Sequence, residues 1–239
     1  MIRKRFKVDA ILWDFDGTLA DSASKNITIT KQILAEVAPH LTGSNLPSWL
    51  QNVTDYHKAN HGAENWRDLY RDYFGMSTED IQAAGPLWKE YQALDKTEVK
   101  LFDGILETLN ELADIPMGIS SANSSDNINK VLKNNGIQSY FRSVIGYEDF
   151  PPEAQKPAAE PGLRCLREVL EDTRGKTIIY VGDHIADVIF ARNIADRLGP
   201  SSTVISVVVT YSGAEPERWR VQPDEVVERP MDLAAWAIK

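Results

Sequence analysis

Two pairs of carboxylates have types and spacing suited to chemistry. Asp14 and Asp16 lie two positions apart in Asp14-Phe15-Asp16-Gly17-Thr18-Leu19, at the end of the apolar run 10–15. In extended backbone, residues two apart project to the same side, so these acids share one face, and Gly17 lets the chain turn sharply beyond them. Like charges that close are costly unless a cation, a proton or an ammonium compensates them. The pair therefore reads as a metal site or an acid/base pair; Asp and Gly are also ordinary turn residues, so a solvated strand-to-loop junction is the alternative. Asp183 and Asp187 form a second pair in Gly182-Asp183-His184-Ile185-Ala186-Asp187, again directly after an apolar run, 177–181. If Asp183 starts a helix, Asp187 falls one turn on along the same face and both can point at one cation; aspartate at a helix N-terminus is also a good cap. Capping explains Asp183 alone; it does not explain two strands ending in paired carboxylates. Ser120, Ser121 and Asn123 follow a third apolar run, and Lys156 lies in the loop after a fourth. Singly, serines before a helix read as caps and a loop lysine as solvated. Jointly, these groups are the inventory of phosphoryl transfer: nucleophile, acid/base, cation site and phosphate ligands.

Such groups need a scaffold whose strand ends converge. Ile105, Leu109 and Leu112 recur at helical spacing, 115–121 reads as a strand, and Ile128, Val131 and Leu132 as a helix. A strand near 143–146, a helix bearing Leu163, Leu166 and Leu170, the strand 177–181, a helix from Ile185, the strand 203–209 and a helix from Met231 continue the series. This alternation predicts an α/β fold with an open, mostly parallel, Rossmann-like sheet. Between the first strand and Phe102 the pattern is helical, as in Trp66, Leu69, Tyr70, Tyr73 and in Leu87, Trp88, Tyr91, Leu94, with no convincing strand. Ser77 and Asp80 have capping-box spacing, and Pro47, Gly62, Gly75 and Pro86 punctuate the segment. We expect a catalytic core of residues 1–21 and 98–239 and an inserted helical cap of residues 22–97. Placed after the first strand's carboxyl end, such an insertion is a candidate lid.

Composition bounds the ligands. In 239 residues, 43% apolar side chains can supply a core, and 26 basic against 35 acidic residues give a formal net charge of -9. That balance opposes nucleic acid and anionic membranes as partners, so an anionic ligand must be held by local groups. The one cysteine, Cys165, rules out an intramolecular disulfide and reads as a small core residue. The basic start Arg3, Lys4, Arg5 and Lys7 is followed by an apolar stretch interrupted at Asp9 and Asp14, which is not an export signal, and no apolar run is long enough to span a bilayer. A cytoplasmic protein is expected; nothing in the pattern assigns an oligomeric state.

With four motifs in order over nearly the whole chain, the sequence resembles the haloacid dehalogenase superfamily, and in particular its phosphoglycolate phosphatase-like members with a helical cap after the first motif. The resemblance implies Asp14 as nucleophile and Asp16 as general acid and base, with Asp16 also offering its backbone carbonyl to Mg2+. Asp14 and Asp183 would be carboxylate ligands, and Asp187 would hold a metal-bound water or orient Asp183. Ser121, Asn123 and Lys156 would be phosphate-binding, with Ser120 the alternative to Ser121 by one position. The implied partner is a small-molecule phosphate ester. Asp16 argues against dehalogenation, because related dehalogenases lack it. Related sugar phosphomutases carry a histidine shortly after the first motif, where this chain reads Asp21-Ser22-Ala23-Ser24-Lys25-Asn26. Phosphoacceptor receivers keep their acidic pair on a separate strand and lack a helical insertion. His57 and His61, one turn apart, lack a third ligand at a recognised spacing and read as solvated surface, as does Lys25.

Overall fold

The structure, a computed structural model, describes residues 7–238; Arg3, Lys4 and Arg5 of the basic start lie outside them. By contacts, the chain divides into one unit running to Ala20 and resuming at Lys100, and a second over Asp21–Val99.

The first unit is a six-stranded parallel sheet, β1 (Ala10–Trp13), β4 (Met117–Ser120), β5 (Phe141–Ile145), β6 (Thr177–Gly182), β7 (Thr203–Val209) and β8 (Glu225–Val227), in the order β5-β4-β1-β6-β7-β8. Every residue of β1 is buried, as a central strand covered on both faces requires. Leu12 pairs with both Gly118 and Tyr180, and Trp13 with both Ile119 and Val181, so the carboxyl ends of β4, β1 and β6 are level. The chain runs outward from β1 to β5, then crosses back to β6 on the other side. Beside β1 lies the switch point at which open sheets bind ligands. Helices α5 (Ile105–Glu111), α6 (Ser125–Asn134), α7 (Glu160–Val169), α8 (Ile185–Leu198) and α9 (Pro230–Ala237) complete the unit. Leu12, Tyr180, Phe190, Leu166 and Cys165 pack in one core cluster, and Cys165 is the buried core residue its isolation suggested.

Three short strands depart from the expected pattern. β2 (Ala20–Asp21) and β3 (Lys100–Leu101) pair as a separate two-stranded sheet inside the segment expected to hold no strand. Two residues are too short to show any periodicity. β8 has three residues and no apolar run to announce it.

The second unit contains α1 (Ala23–Val37), α2 (Val53–Gly62), α3 (Trp66–Asp68) and α4 (Thr78–Leu94) around Ile29, Ile33, Leu34, Leu50 and Phe74. The Ser77–Asp80 capping box forms at the start of α4. Pro86 does not interrupt that helix but lies inside it, its lost backbone bond outweighed by Ile81, Ala84, Leu87, Trp88 and Tyr91 packing into one cluster. The helical spacing from Trp66 to Tyr73 resolves into α3 and a π-turn over Leu69–Tyr73. His61 and Lys25 are not solvated, as expected, but buried, and His61 stacks on His57 at 5.8 Å between ring centroids. Among the described residues, no helix is long and apolar enough to cross a membrane.

Candidate active site

The site grows from the level strand ends. Asp14 N–H donates to Val181 O at 2.8 Å, extending β1 by one residue along β6, and Ser121 N–H donates to Ile145 O at 3.1 Å beyond β4. Asp14 and Ser121 thus leave the sheet at the edge from which Asp183 leaves β6. The turn after Asp16 comes so close to Asp183 that only glycine fits: Gly17 has φ +76°, and a Cβ there would lie 2.1 Å from Asp183 Oδ2. Gly182 plays the same part beneath Asp187, where a Cβ would fall 2.1 Å from the carboxyl carbon.

The carboxylates of Asp14, Asp183 and Asp187 are all buried, and an oxygen from each lies within 4.8 Å of the other two. Lys156 reaches them from its loop. Its ammonium donates to Asp14 Oδ1 at 2.8 Å and pairs with Asp187 Oδ1, with the lysine side chain only 7% exposed. It also lies 5.1 Å from the Tyr180 ring centroid and 5.5 Å from that of Phe190, aromatic faces that favour a desolvated cation. The expectation of a solvated loop lysine, taken singly, therefore fails. Burial pushes the Asp14 carboxyl up to about 6, with Lys156 pulling it down and Asp187 and Asp183 pushing it further up. Burial likewise raises Asp187 against the pull of Lys156. Burial disfavours the Lys156 ammonium, but Asp14 and Asp187 outweigh it and hold the amine charged above its ordinary range.

Asp183 is not the helix cap that its position suggested. His184 is the N-cap of α8, its Nδ1 accepting from Ala186 N–H at 3.1 Å, while Asp187 accepts from His184 N–H at 2.8 Å. Asp183 instead receives hydroxyls: Thr18 Oγ1 donates to its Oδ1 at 3.1 Å and Ser212 Oγ to its Oδ2 at 3.2 Å. Tyr211 O–H in turn donates to the Thr18 carbonyl. Sequence reasoning missed Thr18, Ser212, Tyr211, Tyr180 and Phe190.

On the other side of Asp14, Asn123 Nδ2 donates to Asp16 Oδ2 at 2.7 Å. Ser121 Oγ accepts from Asn123 N–H at 3.3 Å, and so belongs to this group of residues, whereas Ser120 Oγ is fully buried without a hydrogen-bond partner. Neither serine caps α6; Ser124 does, accepting from Asn127 N–H.

The acid cluster fits a hard divalent cation. Three carboxylates against one ammonium leave two negative charges when all are ionised; burial is the main cause of the rise of the Asp14 carboxyl, with Asp187 and Asp183 adding to it against Lys156. Oxygen donors alone, without sulfur or imidazole, suit magnesium or calcium.

Comparison with known proteins agrees with this geometry. Residues 11–196 match the family described as haloacid dehalogenase-like hydrolase. "Pyrophosphatase PpaX" of Listeria innocua is 25% identical over 239 residues, 96% of each chain, and "Phosphoglycolate phosphatase" of Synechococcus elongatus is 25% identical over 241 residues, 95% of each. A haloacid dehalogenase-like family hydrolase from Streptococcus pneumoniae superposes with a TM-score of 0.71 at 22% identity, covering 96% of this chain and 98% of its own, which shows a shared fold. With its family match running through both acid pairs and Lys156, the chain belongs to the haloacid dehalogenase-like hydrolase family.

Proposed function

We propose that this phosphatase is a magnesium-dependent phosphomonoesterase working through an aspartyl-phosphate on Asp14. The observation that carries the reading is the pairing of Lys156 with Asp14 and Asp187 in the cluster completed by Asp183. That arrangement keeps a buried carboxylate anionic and leaves charge for a cation.

Asp14 attacks phosphorus, forming the O–P bond while the ester P–O bond breaks, and Asp16 gives its proton to the departing alkoxide. Water then attacks the same phosphorus and yields its proton to Asp16; the Asp14–phosphorus bond breaks, inorganic phosphate leaves, and both residues are restored. Ser121 and Lys156 hold the phosphoryl oxygens. Asp14 and Asp183, with Asp187 and the Asp16 backbone carbonyl, would hold Mg2+, which would supply positive charge opposite the phosphoryl group. Thr18 and Ser212 orient Asp183 from outside the acid cluster.

The substrate we propose is a small soluble phosphate ester: phosphoglycolate-like, a sugar phosphate or a nucleotide. The relatives named pyrophosphatase and phosphoglycolate phosphatase support that size class, and the net charge of -9 disfavours long polyanions. The test is a screen of phosphate esters for phosphate release with magnesium, followed by acid quench on a radiolabelled substrate. A hydroxylamine-labile label on the protein, absent from Asp14→Asn, is expected, together with loss of nearly all turnover in that variant. A label surviving Asp14→Asn, or more than a few per cent of activity in that variant, would overturn the assignment.

A further inference from the structure

Asn123 follows β4, the second motif-bearing strand along the chain, and resemblance alone makes it a phosphate ligand. Its side chain is committed elsewhere. The amide oxygen accepts from Ser124 N–H at 2.7 Å and from Asn127 Nδ2 at 3.3 Å. A backbone N–H can only donate, so the Ser124 contact fixes which end of the amide is oxygen and turns Nδ2 onto Asp16 Oδ2, at 2.7 Å. The backbone of Asn123 is held as well, its carbonyl accepting from Tyr147 N–H at 3.1 Å and its N–H donating to Ser121 Oγ. Asn127 is anchored at the start of α6, where its N–H donates to Ser124 Oγ. A buried, pinned amide thus runs from the N-terminus of α6 to the carboxylate of Asp16, which is only partly buried and sits on the turn at Gly17.

We propose that Asn123 is a positioning residue for the proton transfer to the leaving group: it fixes the rotamer of Asp16, and does not bind the phosphoryl group. The inference rests on the reading of Asp16 as general acid. An Asp side chain has two torsions and no preferred orientation of its carboxyl plane. Proton transfer requires a heavy-atom approach of hydrogen-bond length in a defined direction. The Asn123 amide supplies the restraint, and Ser124 and Asn127 stop the amide from turning away.

The two roles predict different substrate dependences. An alkyl phosphate expels a poor leaving group and needs the proton, whereas 4-nitrophenyl phosphate expels a stable phenolate and scarcely needs it. Both carry the same phosphoryl group. The measurement is kcat/KM, which reports steps only through departure of the leaving group, for an alkyl and an aryl ester, in wild type, Asp16→Asn and Asn123→Ala. Asp16→Asn tests the underlying reading: a loss confined to the alkyl ester upholds it, and equal rates on both esters would remove Asp16 as acid and the proposal with it. Given that result, Asn123→Ala should lower kcat/KM by about tenfold or more on the alkyl ester, a part of the ~100-fold or larger general-acid effect, and by less than about threefold on the aryl ester. Competitive inhibition by inorganic phosphate should be unchanged, and the double variant should be no slower than Asp16→Asn. Equal losses on both esters with weakened phosphate inhibition would make Asn123 a phosphate ligand and overturn the proposal, as would no loss on either. Asn123→Asp is the second variant: it keeps the shape and the oxygen that accepts from Ser124 and Asn127 while replacing the donor to Asp16, and the same ester selectivity is expected of it.

Discussion

Replacing Asp14 by asparagine should remove catalysis and yet make the metal-free protein more stable. The Asp14 carboxyl is raised from 3.8 to about 6, first by burial and then by Asp187 and Asp183, with Lys156 opposing. A carboxyl whose folded value lies above its unfolded value binds the proton more tightly when folded, so its contribution to stability is fully present below about 4 and is lost as pH rises through 6. At pH 8 the ionised group therefore costs the fold about 3 kcal/mol relative to the unfolded chain, at ~1.4 kcal/mol for each tenfold change in proton affinity. Asparagine has the same shape, and its amide oxygen can still accept from Lys156, but it carries no charge to desolvate. Urea unfolding of both proteins in EDTA should show Asp14→Asn more stable by roughly 1–3 kcal/mol at pH 8, with the gap closing toward pH 4. Adding magnesium should reverse the order by stabilising the wild type selectively. A variant equally or less stable at pH 8 in EDTA, or a gap that does not change with pH, would refute the account of Asp14 as a carboxylate whose charge burial disfavours.

Lys156→Met should have the opposite sign, since it leaves the buried carboxylates without their ammonium: a loss of about 3–5 kcal/mol at pH 8 in EDTA by urea unfolding, partly restored in the double variant with Asp14→Asn. Phosphate release should be supported by magnesium and not by calcium, because calcium accepts more ligands and takes carboxylates bidentately, which would occupy the nucleophile; full activity in EDTA would exclude the metal altogether.

What could be read from the sequence was what lies close along the chain. Asp14 and Asp183 each stand directly behind an apolar run, so the level ends of β1 and β6 were foreseeable from two local patterns. The hydroxyls on Asp183 were not: Thr18 reaches it across 165 positions and Ser212 across 29, and although Thr18 lies in the first motif, nothing in the sequence aims either hydroxyl at Asp183. Tyr180 and Phe190 look like ordinary core aromatics until Lys156 is found against their rings. The start of α8 at Ile185 was foreseeable, but its cap was not: aspartate is the commoner cap, and here a histidine accepting through Nδ1 does the work instead of Asp183. Lys25 was read as solvated from residue type, and His61 from the lack of a third ligand at a recognised spacing; both readings fail where helices close around a polar group.

The geometry also accounts for lysine rather than arginine at position 156. An ammonium has three N–H donors that can point in separate directions, and Asp14 and Asp187 take two of them. On the proposed mechanism the third donor would meet a phosphoryl oxygen, so that the same residue would hold the nucleophile in place and meet the group it attacks. A guanidinium presents its donors in one plane and would favour bidentate pairing with a single carboxylate. The compact cation therefore couples the two acid-bearing strand ends, and on the proposed mechanism it would couple them to the substrate, with the Tyr180 and Phe190 rings against it.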